Sequence, residues 1–215
     1  MSFRSVKNTV FLTCLYGIVC GSGIFLLGAR SGDLTRMKPK IILAPIGDIE
    51  ESVLDVLEKD LAATFSCQVE RRDPIPIPEG AFHPARKQYR ASLILKMLPG
   101  QTFKGKRDIG LAIADVDLYA EGLNFVFGQA EFGGPFAIIS ISRLRQSFYS
   151  LPENRAIFLE RTIKEAVHEL GHVFGLEHCP DPECVMHFSN SLSDTDRKSA
   201  SFCSRCRARL DKLIK

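Results

Sequence analysis

The stretch HELGHVFGLEHC, His168–Cys179, decides the reading of this chain: it gathers three of the five histidines into eleven positions and follows the last with a cysteine. Residues four apart on an α-helix share a face and lie about one turn, roughly 5.4 Å, along its axis. His168 and His172 can therefore grip one ion. His178 would sit about 9 Å beyond His172 and on another face if the helix continued. Gly175 removes that obstacle, because glycine takes the left-handed conformation that ends a helix and turns the chain back. The string then matches H-E-x-x-H-x-x-G-x-x-H, in which three imidazoles supply three of the four positions of a tetrahedral zinc. The fourth stays open for water, whose pKa such an ion lowers from 15.7 to about 7. Glu169 stands where H-E-x-x-H sites keep the carboxylate that accepts the water's proton. Glu177, in the turn after Gly175, is the second candidate base.

Working outward toward the C-terminus, four cysteines follow with ligand-like spacing. Cys179 and Cys184 have four residues between them and Cys203 and Cys206 have two, the spacings of paired thiolates on a structural zinc. A closed four-cysteine shell does no chemistry, but it would staple the segment after the histidines to the C-terminal helix. The alternative is a pair of disulfides in an oxidising compartment. Met186 reads as a packing residue, and also as the methionine turn that lies beneath three-histidine sites. His187 is not expected among the ligands, His83 reads as a surface residue, and Cys67 as a small buried apolar one.

Toward the N-terminus, Thr9–Ala29 is an uncharged apolar run of about the length that spans a bilayer as a helix. Arg4 and Lys7 precede it, and Ala29–Ser31 makes a mediocre cleavage site, so the run reads as a retained membrane anchor, with secretion after signal cleavage as the alternative. Basic residues on both sides leave the orientation open. Residues 1–39 are thus expected to be an anchor with its linker, and residues 40–215 one folded domain. A formal charge of +3 without a basic stripe gives no case for nucleic acid. The oligomeric state is not legible.

Within the domain, KIILAP reads as a buried strand, and Val53, Leu54, Leu57, Leu61 and Phe65 recur at helical spacing. CQVERR is a second strand. The Pro-rich stretch Pro74–Gln88 is expected to be an irregular loop, followed by a helix from about Ala85 to Met97. DIGLAIADVDL reads as a strand, NFVFGQAEF and PFAIISIS as a hairpin turning at Gly133–Gly134, and Asn154–Phe174 as a long helix carrying His168 and His172. The order of elements predicts an α/β or α+β fold with a mixed twisted sheet packed by helices.

The histidine triad followed in order by Cys179, Cys184, Met186, Cys203 and Cys206 resembles the archaemetzincins, a family of zinc metalloproteases. APIGDI, RKQYRASLIL, DVDLY, LNFVFGQA, FSNSL and TDRKSASFCSRC are similar to that family's segments, so the resemblance runs from about Lys40 to the C-terminus and leaves out the apolar run. It implies a metzincin-like fold and two zinc ions. His168, His172 and His178 would hold the catalytic one with Glu169 as general base, and Cys179, Cys184, Cys203 and Cys206 the structural one. The implied activity is peptide hydrolysis; separately, because β-addition supplies sequence-tolerant main-chain hydrogen bonds, the substrate is expected to extend along LNFVFGQAE as an added strand. The competing reading is a zinc-stapled peptide-binding module with little or no turnover.

Overall fold

The computed structural model describes residues 39–98 and 108–214. Strand β1 (Lys40–Ile46) is followed by helix α1 (Glu51–Phe65), strand β2 (Gln68–Arg71), the short strands β3 (Phe82–His83) and β4 (Gln88–Arg90), and helix α2 (Ala91–Met97). Strands β5 (Asp108–Ala114), β6 (Leu118–Tyr119), β7 (Gly128–Ala130) and β8 (Phe136–Ser140) come next, then helices α3 (Arg155–Val173), α4 (Leu192–Arg197) and α5 (Ser204–Leu213).

The main sheet has the order β2-β1-β5-β8-β7, parallel throughout except for the antiparallel edge strand β7. A parallel sheet covered on both faces needs near-continuous apolar strands, and β1 and β8 are of that kind. Successive side chains point to opposite faces. Ile109, Leu111 and Ile113 of β5 therefore pack in one core with α1 and α3, while Ala112 and Ala114 join a second core with Ile94 and Leu95 of α2. All five apolar residues at helical spacing in α1 are buried. The result is a mixed α/β fold of three layers, with β7 at the rim, packed against α3.

Three expectations require correction. Pro74–Gln88 is not wholly irregular: Ile75 bridges Ile46, and once the prolines at 74, 76 and 78 are passed the chain forms the antiparallel β3–β4 pair. The helix expected from Ala85 begins at Ala91, because residues 88–90 are drawn into a parallel pair with β6, where the Tyr89 N–H donates to Asp117 O at 2.8 Å. Tertiary pairing here overrides local propensity. Cys67 is half-buried at the edge of the core rather than buried.

The membrane assignments are withdrawn as well. No helix among the described residues is long and apolar enough to cross a membrane. The run Thr9–Ala29 itself lies outside the described residues. Neither the membrane anchor nor the membrane-associated localisation has support among the described residues.

Candidate functional site

Helix α3 is the platform. Asn154 caps it, its side chain accepting from the Ile157 N–H at 3.2 Å, which satisfies one of the donors a helix start leaves open. At the other end Gly175 has φ +87, the left-handed value expected of it. The Gly175 N–H donates to His172 O and the Leu176 N–H to Gly171 O, each at 2.9 Å, so the turn satisfies the last carbonyls while reversing the chain. This reversal returns His178 to the helix.

The Nε2 of His172 is 3.1 Å from that of His168 and 3.2 Å from that of His178. His168 Nδ1–H donates to Val185 O at 2.8 Å and His172 Nδ1–H to Leu176 O at 2.7 Å. A carbonyl only accepts, so in both rings the proton of the neutral imidazole is on Nδ1 and Nε2 carries a lone pair. Burial holds all three histidines below their usual pKa, His168 furthest, which keeps them neutral. Converging lone pairs repel unless a cation lies between them. Zinc–nitrogen bonds of about 2.0–2.1 Å in a tetrahedron set neighbouring nitrogens roughly 3.3–3.4 Å apart, close to the separations seen here. The donor set fits zinc.

Glu169 follows His168 and is 6% exposed. Burial pushes its carboxyl well above the ordinary carboxylate range, the Glu165 carboxylate adds to that, and Lys198 opposes it. Its side chain lies against Gly128 of β7, where an added Cβ would come within 2.6 Å of Glu169 Cγ. A cavity of about 390 Å³ runs between β7 with the segment before it and α3, lined by the three histidines, Glu169, Phe188 and Lys198 among others. Glu177, the other candidate base, is exposed and paired with Arg209 at 3.2 Å. It is not part of the cavity lining.

Beneath the helix, Met186 is fully buried against Gly171, and the carbonyl of Val185 beside it receives the His168 ring. Cys179, Cys184, Cys203 and Cys206 converge, with the Cys179 and Cys203 sulfurs 3.8 Å apart, near the spacing that zinc–sulfur bonds of about 2.3 Å set in a tetrahedron. All four are free thiols, so the disulfide alternative is not realised. The Cys203 thiol is brought down to about 7, chiefly by a hydrogen bond from the Cys206 backbone, whereas burial pushes Cys184 and Cys206 up. His187 donates from Nδ1 to Cys179 O at 3.0 Å and joins neither cluster, and His83 is exposed, both as expected.

The sequence reading missed Gly128, Glu165, Ser189 and Lys198, all in the cavity wall. Glu165 had a signal: it is four residues before Glu169 and so shares its helix face. Lys198 falls within the family-like segment TDRKSASFCSRC, but nothing local singles it out, because its place depends on how the segment after α4 folds over α3.

The comparisons with known proteins agree with this geometry. The sequence profile of peptidase family M54 matches residues 76–212. Archaemetzincin of Methanocaldococcus jannaschii is 43% identical over 172 residues, 80% of this chain and 92% of its own. The crystal structure of archaemetzincin from Methanopyrus kandleri superposes with a TM-score of 0.73 at 40% identity, covering 82% of this chain and 96% of that one. A zinc-dependent peptidase from Methanocorpusculum labreanum gives a TM-score of 0.72 at 30% identity, over 79% of this chain and 99% of its own. Fold, site and relatives together define the class, a zinc metallopeptidase. The chain belongs to the archaemetzincins, peptidase family M54. Four-fifths of the chain accounts for nearly all of the M. jannaschii relative.

Proposed function

We propose that residues 40–215 are the peptidase domain, that His168, His172 and His178 hold the catalytic zinc, and that Cys179, Cys184, Cys203 and Cys206 hold a second, structural one. The supporting observation is the convergence of three Nε2 atoms within 3.2 Å of their neighbours, two of them with the Nδ1 proton committed to a backbone carbonyl. When bound, the first ion supplies Lewis acidity toward the scissile carbonyl and the attacking water.

The chain's own residues do the rest. A substrate in extended form adds to the edge of β7 that pairs with no other strand among the described residues, its opposite edge being paired with β8, and main-chain hydrogen bonds then hold it largely irrespective of sequence. Glu169, behind β7 and almost closed off from solvent, takes a proton from water and passes it to the departing amine nitrogen. Gly128 leaves the space that its carboxyl occupies. The cysteine set keeps Val185 and Met186 beneath His168, so that the ring does not swing.

Glu169→Gln is the test. The amide keeps the shape of the side chain but cannot take a proton. Zinc content and the melting temperature should stay near wild type while peptide hydrolysis falls by about 10² to 10⁴. Wild-type turnover in this variant removes Glu169 from the mechanism.

A further inference from the structure

Among the described residues, five buried side-chain polar atoms have no hydrogen-bond partner: Arg71 Nε, Gln129 Oε1, Gln146 Oε1, Ser189 Oγ and Lys198 Nζ. Three of these five residues, Gln129, Ser189 and Lys198, line the cavity that contains the three imidazoles and Glu169. An unmade hydrogen bond on a buried group is costly, and more so for an ion. Its concentration in one cavity points to a polar group brought by a ligand.

Lys198 is the informative member. Its side chain is fully buried, with Nζ 3.1 Å from Glu165 Oε1 but not aligned for a hydrogen bond. Glu165 Oε1 accepts from the Thr195 hydroxyl at 3.2 Å. An ammonium has three donors, and here its charge is balanced while its donors are not used. Ser189 adds a hydroxyl donor in the same cavity. With a divalent ion on the neutral imidazoles and Lys198 paired with Glu165, the cavity keeps a positive excess that Glu169 offsets only in part. A substrate carboxylate would cancel it.

We propose that Lys198 and Ser189 form a carboxylate-binding subsite beside the catalytic centre, so that this peptidase selects substrates with a carboxylate adjacent to the scissile bond. The carboxylate belongs either to an Asp or Glu side chain or to the C-terminus of the substrate. This rests on the catalytic site proposed above. A pair serving only to staple α3 to the segment after α4 would need no unfilled donors, and such pairs are often replaceable by apolar residues of similar volume.

The test compares three peptides of one parent sequence on the zinc-loaded full chain: a neutral amidated one, an amidated one with Asp or Glu beside the cleavage position, and a neutral one ending there in a free carboxylate. One carboxylate peptide should exceed the neutral one in kcat/KM by about 10- to 100-fold, the range of a hydrogen bond to a charged group. Which of the two does so names the source. Lys198→Met alone strands Glu165, so the decisive variant is the double Glu165→Gln, Lys198→Met, in which the ratio should fall toward one. Binding of the same labelled peptides to Glu169→Gln protein, read by fluorescence anisotropy with and without the double substitution, should show the same preference and loss. Equal values for all three peptides in wild type, or a preference that survives the double substitution, overturns the subsite. A carboxylate preference in binding without hydrolysis of any peptide would support the subsite and sink the peptidase reading instead.

Discussion

His178 and Cys179 are consecutive residues that belong to clusters of opposite kind. The three histidines pass from buried His168 through half-buried His172 to exposed His178, and they form part of a cavity wall. The four cysteines are buried except for half-buried Cys203, and Cys179, Cys184 and Cys206 are members of the main hydrophobic core. Two donor sets of similar compactness therefore differ in what surrounds them: one faces a cleft and the other is sealed by packing. An ion with an open face can do chemistry, while a sealed one can only hold chain segments together.

The largest effect expected from that contrast comes from breaking the closed cluster. Cys206→Ser should lower unfolding free energy by about 4 kcal/mol, or roughly 10 °C in melting temperature, because it removes an anchor of α5 from the core together with one of the four thiols proposed to hold the structural ion. His178→Ala, at the open cluster, should abolish hydrolysis and weaken zinc retention while moving the melting temperature by only a few degrees. Thermal denaturation and zinc analysis of the two variants side by side read both. Similar losses of stability in both would erase the distinction.

Next in size is the contact by which the two regions touch. A Cβ on Gly171 would run into Met186 Sδ and come within 3.0 Å of its Cε. Overpacking costs about 1–3 kcal/mol. Replacing a helical glycine by alanine returns about 1 kcal/mol. Gly171→Ala should thus be mildly destabilising, and since Val185 beside Met186 orients His168, zinc retention at the histidine site should weaken with it. Calorimetry with zinc titration decides. An alanine variant more stable than wild type would show that Met186 has room to move.

Gly128→Ala acts on the open cluster alone. It drives Glu169 from its place, so kcat should fall about tenfold or more with zinc content unchanged. Smallest is Asn154→Ala, about 1 kcal/mol of stability with no change in zinc at either cluster.

What could be read in the sequence follows the same division. The residues of both clusters obey local rules, a helical repeat of four, a glycine turn and cysteine spacings, and the structure brings together the very residues those rules selected. The α1 stripe and the ends of α3 were legible for the same reason. Non-local pairing was not. The late start of α2 depends on the pairing of β4 with β6, nearly thirty residues further on. Helix α4 did leave a local mark that went unread: Ser191 accepts from the Asp194 N–H at 3.3 Å and donates to the Asp194 carboxylate at 2.8 Å. Lys198 reads as one more surface lysine until α3 is placed beneath it.

The account stands or falls on two ions of unequal accessibility, and stepwise chelation of the full chain measures that directly. Zinc released, peptide hydrolysis and melting temperature should be followed together under reducing conditions. The expected course begins near two equivalents of zinc per chain. The first is lost to mild chelator together with all hydrolysis and little change in melting temperature, and the second only as the fold melts. One equivalent at the start, or two released together with stability and activity falling in step, would contradict it.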